Sequence, residues 1–322
     1  ANQQCMGRYR AVAIAQSGLA ALNIIEFFEH LKVRNKGLII LAPLKERKEE
    51  MKRVMDVYHP KCKVKWIDRV RWSEITPRII RGPVYRLENW IWAAQALLIE
   101  PRVLLGTDIV APTLWPGRFQ QRFARLLPSM EIVAVDEGVT TLSVSRRHTN
   151  LLWFTAYDIE PEKIWHKNNY TVTRELIKGV GATDQSWFVG QPRGVGRQLS
   201  LEDYVAIVSL AVARYGVTHY FPHPAEEEET LEAVSALGIS IQRPAAPLEL
   251  LPMDRGVPKR IVGISSAAVV NFKILYGDSL ECVTIGPRSF TEGQLGSWYK
   301  SAAVMGVDVV PFAVTHKIVG GE

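Results

Sequence analysis

Cysteine is scarce, with only Cys5, Cys62 and Cys282 in 322 residues. They lie far apart and form no CxxC pair, which argues against a disulfide scaffold or a zinc ribbon and points to reduced thiols in a cytosolic chain. No apolar run approaches the roughly 18 residues of a membrane span, and the chain does not open on a charged-then-apolar signal. The expectation is a cytoplasmic protein, with peripheral contact to the anionic inner membrane as a further option. No GxxxxGK[ST] loop is present and no GxGxxG follows the first strand, so ATPase and dehydrogenase readings lose their usual support. Repeats at solenoid periods and low-complexity stretches are also missing. Acidic residues are the minority charge: 33 Asp and Glu against 39 Lys and Arg leave a net charge of +6. That balance suits nucleotides, acidic glycans, lipid head groups or nucleic acid, and does not choose among them.

What is present is a globular composition, 47% hydrophobic and 22% charged, at a length that suits two domains. Strand-like runs alternate with helix-like ones. Arg8–Ala15, 37–42 and 62–67 read as strands, with helices over 19–31 and 46–58 between them. Residues 89–100 read as a Trp- and Ala-rich core helix. Residues 102–106 read as a short strand, 119–127 as a helix and 131–135 as an apolar strand. The pattern restarts near 186 with strand 186–189, a loop over 190–197, helix 202–215 and strand 217–221. A short apolar stretch at 239–241 and strand 260–264 follow. Two β-α-β runs of this kind imply two mostly parallel sheets covered by helices, a first domain over 1–185 and a second over 186–322, with the last helix returning to the first domain.

Small polar groups close the apolar runs, where open α/β sheets place ligand-binding residues. Ser17-Gly18 follows the first strand and leads into a helix, either as an ordinary turn or as an anion or sugar site. Asp136-Glu137-Gly138 closes strand 131–135, and a carboxylate there can serve as general base, metal ligand or helix cap. Arg146-Arg147-His148 is a basic cluster that reads as a solvated surface, with an acceptor contact as the alternative. Gly190-Gln191-Pro192 opens the second half. His223 stands between prolines after strand 217–221, in a rigid loop suited to phosphate donation or acid catalysis. The run Glu226–Glu229 heads a helix, where acids favour the dipole. Glu249 suits the two hydroxyls of a ribose. Ser265-Ser266 at a helix start is a phosphate cradle or an N-cap.

Taken in order, Asp136-Glu137-Gly138, His223-Pro224 and Ser265-Ser266 resemble the acidic, HP and S-S/T motifs of bacterial sialyltransferases. The resemblance is to the lipooligosaccharide sialyltransferases of glycosyltransferase family 52 and their polysialyltransferase relatives. Glu249 matches the acid between the last two motifs. Softer matches are 17–26, Gly190-Gln191-Pro192, Leu199-Ser200 and Tyr204. The resemblance implies an α/β fold of the GT-B type, two Rossmann-like domains facing across a cleft. It implies an inverting transferase that uses no metal or other cofactor and moves sialic acid from CMP-N-acetylneuraminate to a hydroxyl of a surface glycan, lipid-linked or acidic. Asp136 would be the base, with Glu137 as the alternative and Asp108 the next candidate. His223 would be the acid or phosphate donor, Glu249 the ribose ligand, and Ser265 and Ser266 the phosphate ligands. Gln191, Ser17 and Gly18 would complete the nucleotide-sugar contacts.

CMP-legionaminate, CMP-pseudaminate and CMP-Kdo share this chemistry and stay open as donors. A noncatalytic nucleotide- or glycan-binding module is a further reading. A basic nucleic-acid-binding protein is the alternative from another class, but the Lys and Arg residues show no RNA-module signature, so no nucleic-acid partner is expected.

Overall fold

The computed structural model describes residues 10–43, 47–67, 108–112, 131–136, 151–193, 199–292 and 295–313, with eight positions between 83 and 98 and Gly138 and Thr141. The chain divides into two compact units, Ala1–Val172 with Ala245–Pro247, and Thr173–Pro244 with Leu248–Glu322. The sequence expectation put the boundary between 185 and 186.

In the first unit β1 (Ala11–Ala15), α1 (Gly18–Leu31), β2 (Gly37–Leu41), α2 (Lys48–Tyr58) and β3 (Lys63–Trp66) follow the expected alternation. β4 (Ile109–Pro112), β5 (Glu131–Val135), β6 (Leu152–Thr155) and β7 (Ile164–Lys167) complete a seven-stranded sheet in the order β3-β2-β1-β4-β5-β6-β7. Every described pairing in it is parallel. Composition decides position: AVAIA and GLIIL are buried at all five positions, as central strands covered on both faces must be, whereas KVKW is largely exposed at the sheet edge. Fully burying one of these Val, Leu or Ile side chains is worth roughly 1.5–3 kcal/mol.

Strand 102–106 and helix 119–127 lie outside the described residues, and β4 (Ile109–Pro112) was not anticipated. The stretch 89–100 is helical at positions 91, 94, 95 and 98 but is no core element there, because Leu98 is 75% exposed. Strands β6 and β7 and the short helix α3 (Thr171–Ile177) were not anticipated.

The second unit holds β8 (Ser186–Val189), α4 (Leu201–Tyr215), β9 (His219–Phe221), α5 (Glu228–Ser235) and β10 (Ser240–Ile241). It continues with β11 (Arg260–Gly263), α6 (Ala267–Tyr276), β12 (Glu281–Pro287), α7 (Gly296–Val304) and β13 (Asp308–Phe312). The order is β10-β9-β8-β11-β12-β13, again with all pairings parallel. Counted within the unit this is 3-2-1-4-5-6, the doubly wound order, and six strands of the first sheet repeat it. Trp187, Phe188, Tyr220, Phe221 and Phe272 fill the core, with Phe188 stacked on Tyr220 at 5.5 Å and Trp187 tilted against Phe221 at 4.9 Å. The last described helix, α7, belongs to the second unit, and everything after 313 lies outside the described residues.

Candidate functional site

In a doubly wound sheet the strand order reverses beside the first strand, and the carboxyl ends there open a crevice. In the second unit that point lies between β8 and β11. Beyond β8 the chain runs Gly190-Gln191; beyond β11 it runs Ile264-Ser265-Ser266. The two loops are joined: Gln191 Oε1 accepts from the Ser265 backbone N–H at 3.2 Å and from its hydroxyl at 3.0 Å. Both residues are buried. The turn is held from behind, because the Thr284 hydroxyl and the Tyr299 hydroxyl (2.8 Å) both donate to the Ile264 carbonyl. Ser266 caps α6, its hydroxyl accepting from the Ala268 N–H at 3.3 Å. The cap satisfies one of the orphan N–H groups that begin a helix.

Glu249 sits on a single turn, Leu248–Leu250, and is buried. Its Oε1 accepts from Asn271 Nδ2 at 2.7 Å, so the acid is tied to α6, the helix that Ser266 caps. Burial raises its pKa, and the Asn271 bond opposes that rise.

His223 follows β9. Its Nδ1 accepts from the Ala225 N–H at 3.1 Å, and its own backbone N–H donates to Glu226 Oε2 at 2.9 Å. An Nδ1 that accepts leaves Nε2 as the N–H side of the neutral ring. Glu226 does more than the sequence reading allowed. α5 begins at Glu228, and Glu226 instead turns back to accept from the hydroxyls of Tyr204 (3.1 Å) and Tyr220. The two tyrosine oxygens lie 2.7 Å apart, and Tyr204 also receives the Gln191 N–H at 3.1 Å. One buried cluster therefore supports the loop of His223 and the loop of Gln191 together. Burial raises the pKa of Glu226 against the pull of these donors. Gly190 is required beside it: a Cβ there would stand 2.4 Å from Glu226 Oε2 and 2.5 Å from the Tyr220 hydroxyl oxygen.

In the first unit Asp136 closes β5 and is 0% exposed. One carboxylate oxygen accepts from the Ala156 N–H at 2.6 Å and the other from the Thr141 hydroxyl at 3.0 Å. Burial raises its pKa to about 7, and the bonds from Ala156, Thr155 and Thr141 and the charge of Lys167 resist that rise. Asn23 on α1 donates to the Asp136 carbonyl at 2.9 Å, and Asn168 donates to Asn23 Oδ1 at 3.3 Å. Glu137 and Arg146-Arg147-His148 lie outside the described residues.

The remaining expected residues divide. Ser17 lies at the carboxyl end of β1 but is buried and caps α1, accepting from the Ala20 N–H at 3.2 Å. Gly18 is a close-approach glycine, since a Cβ there would meet Glu50 at 2.6 Å and Pro247 at 2.7 Å. Asp108 stands at the amino end of β4, where it accepts from the Arg10 N–H at 2.8 Å, opposite in strand direction to the end that carries Asp136. It is withdrawn as a candidate base for that reason. Among the described residues no group of three or more His, Cys, Asp or Glu could hold a metal ion. The Tyr204–Tyr220–Glu226 cluster was missed apart from Tyr204. Its signal in the sequence was the first acid of the run Glu226–Glu229, placed after the HP turn and ahead of the helix start.

No protein-family model matches the chain, and no curated protein does. Solved structures do. The UDP-GlcNAc 2-epimerase of Methanocaldococcus jannaschii, in complex with UDP-GlcNAc and UDP, matches with a TM-score of 0.57 at 13% identity, over 94% of this chain and 88% of that one. The MnaA–UDP structure from S. aureus gives 0.56 at 11% identity, over 92% and 87%. An alpha/beta-galactoside alpha-2,3-sialyltransferase from the luminous marine bacterium Photobacterium phosphoreum gives 0.50 at 11% identity, over 94% and 97%. At such identities the likeness is one of fold, and with the two parallel sheets it makes this chain an α/β protein of the GT-B type with two Rossmann-like domains.

Proposed function

We propose that the protein is an inverting glycosyltransferase that moves a nonulosonic acid, most simply sialic acid, from a CMP-activated donor to a hydroxyl of a glycan. The observation that carries the reading is the pair of bonds from Ser265 to Gln191 at the switch point of the second sheet. Residues drawn from two separate motifs meet at the place where such sheets bind nucleotides. His223 stands one strand away on the same side, and Glu249 is fastened to the helix that starts at Ser266. The P. phosphoreum sialyltransferase among the neighbours agrees with the reading.

In this account Ser265, Ser266 and the first N–H groups of α6 take the CMP phosphate, and Glu249 takes the ribose hydroxyls. The bond between the anomeric carbon and the phosphate oxygen breaks with its electron pair going to CMP. Donors aimed at that growing negative charge are the main catalytic need, and His223 Nε2–H is assigned to it. The acceptor oxygen forms the new bond and gives up its proton to Asp136. A carboxylate with a pKa raised to about 7 is well matched to accept it near neutral pH. Thr141 takes one lone pair of an Asp136 oxygen, and the carboxylate keeps further lone pairs to receive the acceptor hydroxyl. No metal is assigned a role, the acceptor is a surface glycan, and CMP-legionaminate, CMP-pseudaminate and CMP-Kdo remain donors of the same chemistry.

A second reading is an epimerase of a UDP-activated sugar, favoured by the two UDP-linked neighbours whose TM-scores exceed that of the sialyltransferase. Incubation with CMP-sugars and with UDP-GlcNAc separates the two. CMP release supports the first reading; a changed configuration at the sugar with UDP retained supports the second.

A further inference from the structure

We propose that Asn23 on α1 and Asn168, directly after β7, are positioning residues for the reaction: their side-chain amides form a relay that fixes the backbone of Asp136 and so sets where its carboxylate stands. The proposal rests on the reading of Asp136 as the base.

The buried residues of α1 are apolar except at two positions, Asn23 and Glu26. These stand three residues apart, on one face of the helix. Asparagine is a poor helix former, and an amide taken out of water costs free energy unless it is hydrogen-bonded. Here it is bonded at both ends: Asn23 Nδ2 donates to the Asp136 carbonyl at 2.9 Å, and Asn23 Oδ1 accepts from Asn168 Nδ2 at 3.3 Å. Asn168 Oδ1 accepts in turn from the Tyr170 N–H at 2.9 Å, and the Asn168 backbone N–H donates to the Thr155 carbonyl at 2.7 Å. Glu26 accepts from the Val172 N–H at 3.0 Å. The face of α1 that holds Asp136 thus also holds the stretch that follows β7. Asn23, Asn168 and Tyr170 are all buried.

Two features set this arrangement apart from ordinary sheet packing. The Asp136 carbonyl lies beyond Val135 and Phe154, the last register pair of β5 and β6, so its donor comes from a helix side chain and not from a neighbouring strand. Tyr170 has a φ of 50°, in the left-handed region that a tyrosine seldom adopts. Buried polar groups in a helix and a strained tyrosine break local rules at one place, as functional sites do. With its carbonyl on Asn23 and its two carboxylate oxygens on the Ala156 N–H and the Thr141 hydroxyl, Asp136 is held at three points. A base held in this way meets an acceptor hydroxyl in one geometry. Of the charged groups around it, Lys167 on β7 favours the ionised carboxylate and is itself paired with Asp158, while Glu26 is bound to the Val172 N–H. Loss of the relay frees the end of β5 and lets water reach the carboxylate, which relieves the burial that raises its pKa.

The test compares the full-length wild type with Asn23→Ala and Asn168→Ala on three readouts. These are the pH midpoint of the Asp136 carboxyl by carbon-13 NMR, assigned with Asp136→Asn; kcat and KM for CMP-N-acetylneuraminate or whichever CMP-sugar is turned over; and the thermal shift given by CMP. In Asn23→Ala the midpoint, about 7 in the wild type, should fall by at least about one pH unit, and kcat should fall by roughly 10–10²-fold. KM and the CMP shift should stay as in the wild type, because the relay does not touch the nucleotide. Asn168→Ala should move the same quantities in the same direction by less, and it carries the test should Asn23→Ala fail to fold. Val307→Ala, a buried change ahead of β13 in the second unit, is the control: it should lower the melting temperature and move neither the midpoint nor kcat. Asparagine variants that fold and keep both the midpoint and kcat, while Asp136→Asn loses turnover, would overturn the relay alone. Turnover that survives Asp136→Asn, or a wild type that turns over no CMP-sugar, would overturn the reading of Asp136 as the base and the proposal with it.

Discussion

Gln191 and Ser265 stand 74 positions apart in sequence and share two hydrogen bonds through one oxygen, Gln191 Oε1. The pair closes the gap between the strands at which the second sheet changes direction. Gln191→Leu is expected to leave the Ser265 N–H and hydroxyl buried without their acceptor, at a cost of about 1–3 kcal/mol in unfolding free energy. A urea melt measures that loss, and the thermal shift produced by CMP should shrink in the same variant.

Tyr204 joins the Gln191 loop to Glu226, and Glu226 holds the backbone of His223. Tyr204→Phe keeps the ring and removes the joint. It should destabilise the fold by about 1–2 kcal/mol and lower turnover more than a surface change of similar size. Retention of both wild-type stability and wild-type turnover would separate the cluster from the site.

Ser266 has two candidate roles, cap and phosphate ligand. Loss of a capping serine to alanine costs about 1 kcal/mol, while glycine at the same position costs only a few tenths. Ser266→Gly should therefore melt near wild type and Ser266→Ala below it. If the serine also binds phosphate, both variants lose donor affinity alike, whereas a cap alone would spare the glycine variant.

Asp136 gives a pH signature of defined sign. Its folded pKa, about 7, lies above the ordinary 3.8 because burial disfavours the charged form. Between those values the folded state binds more proton than the unfolded one, so stability falls as pH rises from about 4 to about 7. Asp136→Asn should flatten that decline in urea melts made at pH 5 and pH 8. As the base it must be ionised, so wild-type turnover should climb with pH through about 7, and the Asn variant should lose roughly 10²–10⁴ of it with CMP affinity little changed.

The fold was legible in the sequence wherever a strand was buried on both faces. AVAIA, GLIIL and EIVAV are short continuous apolar runs bounded by turns, and each is a strand. β6 and β7 were not legible, because LWFT and IWHK mix aromatic and polar residues without alternation and their identity as strands comes from pairing with β5 and with each other. The switch-point loops were legible as motifs, since Gln191, His223 and Ser265 each follow an apolar run. Their mutual support was not: the bond between Gln191 and Ser265 and the tyrosine–glutamate cluster link positions that only strand order brings together. For 89–100 the helix was legible and holds at positions 91, 94, 95 and 98, but its placement in the core was not, because a Trp- and Ala-rich composition does not say which residues meet the core, and 94, 95 and 98 are exposed.

The most direct test of the central claim is CMP release from a panel of CMP-activated nonulosonic acids and CMP-Kdo, with EDTA present and UDP-GlcNAc as the comparison. The account predicts that one CMP-sugar is hydrolysed or transferred, that CMP raises the melting temperature, and that Asp136→Asn lowers release by roughly 10²–10⁴ while keeping the CMP shift. No release from any CMP-sugar and no shift with CMP, together with binding or epimerisation of UDP-GlcNAc, would contradict it.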